Sequence, residues 1–127
     1  MAAAKEKVYD IRQRAFLFAV RIVKLCQFLD KNTDVNKRLT GQLLDAGTSV
    51  GANLEEAGAG QSPKDFVHKN AIALKEAREA QYWLKLLRAS YELEPLIEQG
   101  IIELIQESSE LGNIVGKIVV NAKNNIK

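Results

Sequence analysis

The sequence predicts an all-α chain folded as an antiparallel up-down-up-down four-helix bundle. Three observations carry that expectation. Apolar residues recur in alternating steps of three and four along four separate stretches, short turn-rich segments divide those stretches, and no stretch alternates with the period of a strand. A single domain over residues 1–127 is expected, with helices over 8–31, 37–58, 63–91 and 95–122.

The first helix carries Val8, Ile11, Ala15, Phe18, Ile22, Leu25 and Leu29 as its stripe, widened by Phe16, Ala19, Val23 and Cys26. Residues 31–36 (Lys-Asn-Thr-Asp-Val-Asn) are poor helix formers and end it, and so short a connection makes the next helix antiparallel. The second helix aligns Leu39, Leu43, Ala46, Val50, Leu54 and Ala57. Gly47 and Gly51 sit beside this face, each costing about 1 kcal/mol relative to Ala, which implies that another backbone approaches there.

Gly58-Ala59-Gly60 stops that helix, and Ser62-Pro63-Lys64-Asp65 starts the third as cap, first-turn proline and capping-box acid. Its stripe is Phe66, Asn70, Ala73, Ala77, Ala80, Leu84, Leu87 and Tyr91, alanine in the middle and bulky at the ends. After Pro95 the last helix carries Ile97, Ile101, Leu104, Ser108, Leu111, Val115, Ile118 and Ala122, with fraying expected from Asn121 to Lys127.

Composition narrows the function. With 46% hydrophobic residues, 8 Gly and 2 Pro, neither low complexity nor disorder fits. The single Cys26 cannot close an intrachain bridge and lies in an apolar run; together with the absence of a hydrophobic stretch after Met1 or of any apolar run of spanning length, it points to a cytoplasmic protein with no membrane contact. One histidine, His68, gives no zinc set, no di-metal site and no catalytic triad, so neither an enzyme nor a cofactor is expected.

The net charge of +2 conceals a segregation. Residues 1–38 hold nine basic and four acidic groups, a balance of +5, so the remainder sums to −3; from Glu92 to Glu110 there are six Glu and no Lys or Arg. Arg14, Arg21 and Lys24 share a face of the first helix that is expected to point to solvent, opposite the core stripe, and Lys31 extends it. With Arg12, and with Lys69, Lys75, Arg78, Lys85 and Arg88 on the third helix, they are the candidate phosphate contacts. No base-reading motif accompanies them, so binding through backbone and shape is implied.

Ser49, Asn53 and Glu56 on the second helix and Glu79 on the third are read as a structural polar layer, Asn53 and Glu79 hydrogen-bonding between the two helices. Leu17, Phe28, Ile72, Tyr82, Trp83 and Leu86 fall outside the core stripes, more apolar surface than a monomer needs, and predict a homo-oligomer.

Leu39-Thr40-Gly41-Gln42-Leu43, Ser49-Val50-Gly51-Ala52-Asn53-Leu54-Glu55-Glu56, Ser62-Pro63-Lys64-Asp65-Phe66 and residues 75–84 (Lys-Glu-Ala-Arg-Glu-Ala-Gln-Tyr-Trp-Leu) together resemble one family, the four-helix bundle proteins encoded in intervening sequences of bacterial 23S ribosomal RNA genes. Ala57 departs from the Gly usual there. The resemblance implies a left-handed bundle assembled as a ring, usually a homopentamer, and kinship with accessory variability proteins of diversity-generating retroelements, which bind nucleic acid and a reverse transcriptase. Two functions follow as expectations: an oligomeric RNA-binding protein serving a reverse transcriptase or ribosomal RNA, or an assembly protein acting only through protein–protein contacts.

Overall fold

The computed structural model describes residues 10–59 and 62–126. They form four α-helices and no strand: α1 (Ile11–Asn32), α2 (Lys37–Gly58), α3 (Pro63–Ser90) and α4 (Pro95–Ile126). Each helix packs on two neighbours, α1 on α2 and α4, α3 on α2 and α4, and among the described residues the diagonal backbones come no closer than the shared core allows, which is the expected bundle.

The caps set the ends. Asp10 accepts from the Gln13 N–H at 2.9 Å and starts α1 at Ile11, later than the expected start; Val8 lies outside the described residues, as does Gly60. Asn36 caps α2 and Ser62 caps α3, the latter at 3.1 Å from the Asp65 N–H with Pro63 following it. Tyr91 ends α3 and its hydroxyl accepts from the Asn36 N–H at 3.2 Å, tying the α3–α4 turn to the α1–α2 turn at one end of the bundle. The fraying expected from Asn121 is not seen through Ile126: neither Gly nor Pro interrupts this run, and Lys123 in the last turn suits the carbonyl end of the dipole.

The core divides in two. Toward the two tight turns, Phe18, Ile22, Leu29, Leu43, Leu84, Leu87, Ile101 and Leu111 are fully enclosed; toward the other end Ala15, Ala73 and Ala77 meet Val50, Leu54 and Val115. Phe66, expected to fill one end of the α3 stripe, is half-buried and belongs to neither cluster. Cys26 rather than Leu25 completes the buried line of α1, and Val119 rather than Ile118 that of α4. Burial, then Asp30, pushes the Cys26 thiol up to about 12. Among the described residues, no helix is long and apolar enough to cross a membrane.

The glycines of α2 behave unequally. A Cβ on Gly47 would lie 2.8 Å from Cγ2 of Ile22, whereas one on Gly51 would reach Ala15 at an ordinary 3.5 Å. Ile22 is fully buried and stiff at χ1, so it cannot yield. Close approach of α1 and α2 therefore requires glycine at Gly47 alone. In thermal melts, Gly47→Ala should destabilise by about 1–3 kcal/mol through overpacking, while Gly51→Ala should be neutral or stabilising by up to about 1 kcal/mol.

Candidate nucleic-acid interface

The cations sort into two groups according to what lies opposite them. With Ala15, Phe18, Ile22, Cys26 and Leu29 centred on the core, α1 is rotated so that Arg14 and Arg21 flank the apolar stripe beside α4 instead of opposing it. There α4 presents Glu103, Glu107 and Glu110, spaced four and three apart on one face. Arg14 donates through Nε to Glu107 Oε2 at 3.1 Å and through Nη2 to Glu107 Oε1 at 2.6 Å and Glu110 Oε1 at 2.9 Å. Arg21 donates to Glu103 at 2.8 Å. The Arg14 side chain is only 25% exposed. The placement of Arg14 and Arg21 on an open solvent face is thereby corrected: both close the α1–α4 seam.

Protonation follows this geometry. The Glu107 and then the Glu110 carboxylates hold the Arg14 guanidinium above its ordinary value. Arg21, then Gln99, holds Glu103 below the usual carboxylate range, and Gln106, then Arg14, does the same for Glu110.

Three further candidates are also engaged. Lys69 pairs with Glu56 at 2.8 Å across α2 and α3, which holds its ammonium above the ordinary value, and Arg88 pairs with Glu98 at 3.2 Å across α3 and α4. The Arg12 guanidinium lies over Gly58, where a Cβ would come within 2.7 Å of Nη1, at the carbonyl end of α2. Among the described residues, Lys24, Lys31, Lys75, Arg78 and Lys85 are exposed and form no ion pair. Lys75, Arg78 and Lys85 lie on one side of α3 about the exposed Tyr82. The free positive face is therefore on α3, with Lys24 and Lys31 a thinner line on α1.

The polar layer differs from expectation. Asn53 donates to the Ser49 carbonyl at 2.8 Å and Ser49 to the Asp45 carbonyl at 2.6 Å, both within α2, and Glu79 makes no hydrogen bond among the described residues. Short polar side chains on a helix find their own backbone first. Glu56 alone of the four bridges α2 to α3. The enclosed polar groups are Thr40, whose hydroxyl donates to Asp30 at 2.6 Å across α1 and α2, Asn70 and Ser108. Glu76 is half-buried, and its carboxyl is raised by that burial and by Glu79.

Of the candidate interface residues, Phe28 and Trp83 are half-buried against the larger core cluster, Ile72 and Leu86 are half-buried, and Leu17 and Tyr82 are exposed. The Trp83 indole N–H is buried without an acceptor among the described residues. Sequence reasoning did not single out Phe16 (65% exposed), Leu44, Leu96 (86%) and Val120 as open apolar surface.

The family model described as 23S rRNA-intervening sequence protein matches residues 7–117. A crystal structure of a protein with unknown function from the S23 ribosomal protein family of Bacteroides thetaiotaomicron is 36% identical, covering 86% of this chain and 97% of its own, with a TM-score of 0.78. No curated protein matches.

The seam predicts an acid response. Because Glu103 and Glu110 ionise more readily folded than unfolded, their contribution is complete above the ordinary carboxylate value of about 4.3 and is lost as pH falls through the lowered folded values. Arg14→Met should lower the melting temperature at neutral pH by about 5 °C, as the loss of a partly buried paired charge costs on the order of 1 kcal/mol. Below about pH 4 the gap between variant and parent should narrow.

Proposed function

The chain belongs to the 23S rRNA-intervening sequence protein family, and from that premise we propose that it is a non-catalytic, homo-oligomeric nucleic-acid-binding protein whose ligand is RNA. One observation carries the reading: Lys75, Arg78 and Lys85 stand exposed on α3 without a carboxylate partner among the described residues, although the chain has acids enough to pair Arg14, Arg21, Lys69 and Arg88. Unpaired cations repeated along a rigid helix present sites for phosphates at fixed intervals of about 1.5 Å per residue. The family description and the ribosomal-protein family of the structural relative support RNA over other polyanions.

Assembly multiplies this face. Phe16 and Leu17 on α1, Leu44 on α2 and Leu96 on α4 offer apolar surface for a second copy, and a ring of five would repeat the α3 cations on each subunit so that weak contacts add by avidity. Service to a reverse transcriptase or to ribosomal RNA fits this reading. The competing function, assembly through protein–protein contacts alone, draws on the same apolar surface but leaves the α3 cations unexplained.

Light scattering should give several times the 14.1 kDa chain mass at micromolar concentration, and a monomer would contradict the assembly. In fluorescence anisotropy with RNA, Lys75→Gln, Arg78→Gln and Lys85→Gln together should weaken binding and flatten the log–log salt slope by about two, at about 0.7 per phosphate contact. Arg14→Gln with Arg21→Gln should leave that slope unchanged. Equal slopes in the α3 variant and the parent would move the phosphate contacts off α3, and no RNA binding by the parent would favour the assembly-only reading.

A further inference from the structure

Resting on the nucleic-acid reading, we propose that Tyr82 is a stacking platform for an unpaired base, so that the α3 face takes single-stranded rather than duplex nucleic acid. Lys75, Arg78, Tyr82 and Lys85 follow one another at steps of three, four and three, which places them along one ridge of α3. Tyr82 is 59% exposed. Its ring meets that of Trp83 edge to face, with centroids 5.2 Å apart and planes at 76°, so its orientation is held by a residue that is itself packed on the core.

Around it lies a groove of about 440 Å³ lined by Lys75, Arg78, Glu79, Tyr82 and Trp83. Protein–protein interface centres are depleted of lysine and charge, and this ring is surrounded by both. The chemistry suits a nucleotide instead: an aromatic face for the base, an ammonium and a guanidinium for the flanking phosphates, and the Glu79 carboxylate to accept an N–H from the base edge. A paired base keeps its faces within the duplex stack and cannot reach the ring. Tyr82 thus leaves the set of assembly contacts and joins the binding face.

Trp83 is the chain's one tryptophan, so its emission reports on its neighbour. The assembled protein is titrated with a short oligouridine and with an RNA duplex of equal length. Oligouridine should quench Trp83, and Tyr82→Ala should abolish the quench and weaken oligouridine binding about tenfold, in line with alanine substitution at other stacking sites, with duplex binding changed by less than about twofold. Tyr82→Phe should behave as the parent. Equal weakening on both nucleic acids, or none on either, would overturn the platform. So would a polyglutamate peptide that quenches as strongly as oligouridine, since it would assign the groove to a protein ligand. Loss of binding in the combined Lys75, Arg78 and Lys85 variant with none in Tyr82→Ala would reject the platform while keeping the phosphate face; retention in both would reject the α3 site altogether, and absence of binding by the parent protein would reject the nucleic-acid reading itself.

Discussion

The pairing of Arg14 and Arg21 with Glu107, Glu110 and Glu103 is the constraint on which the rest of the molecule turns. α1 and α4 touch least of the four neighbouring helix pairs, so the seam that closes the bundle depends on charge as well as on apolar contact. The consequence reaches beyond stability. Acids of α4 neutralise Arg14 and Arg21 of α1, so two of the nine cations of residues 1–38 are held in the seam, while Lys75, Arg78 and Lys85 stand unpaired on one side of α3.

Packing explains why that division is possible. α3 is built around Ala73, Ala77 and Ala80, which take little space and let α2 and α4 close on it from either side. Its opposite face is left free of packing duties, and Lys75, Arg78, Tyr82 and Lys85 occupy it. On the other side of the bundle, Gly47 lets Ile22 seat against α2, and that seating fixes the rotation of α1 which turns Arg14 toward α4. The glycine, the arginine seam and the open lysine face are linked steps of one geometry.

Much of this was legible in the sequence. The α3 stripe from Asn70 to Leu87 follows an unbroken three–four rhythm behind the Ser62-Pro63-Asp65 signal, so helix, face and cap coincide with the structure, and the limits of α2 agree to the residue. The rotation of α1 was less legible: Leu25 and Cys26 both extend an apolar stripe, and only the fit against α2 decides between them. Arg14 and Arg21 lie at the margin of the stripe in either register, and what brings them to the seam is the row of glutamates on the neighbouring helix. The signal that could have found the seam was the spacing of Glu103, Glu107 and Glu110 read antiparallel against that of Arg14 and Arg21. The inter-helix role of Asn53 was misjudged for a local reason, since its amide reaches the helix carbonyl four residues back and shares it with the backbone bond.

The central claim is a division of labour between structural arginines on α1 and binding cations on α3. Heteronuclear NMR of the arginine Nε–H groups, recorded as single-stranded RNA is added to the protein, tests it most directly. The Arg14 Nε–H, donating to Glu107, should be protected from solvent exchange in the free protein and should not move on titration, while the Arg78 Nε–H shifts. Movement of Arg14 with Arg78 unaffected would place the binding face on α1 and contradict the account.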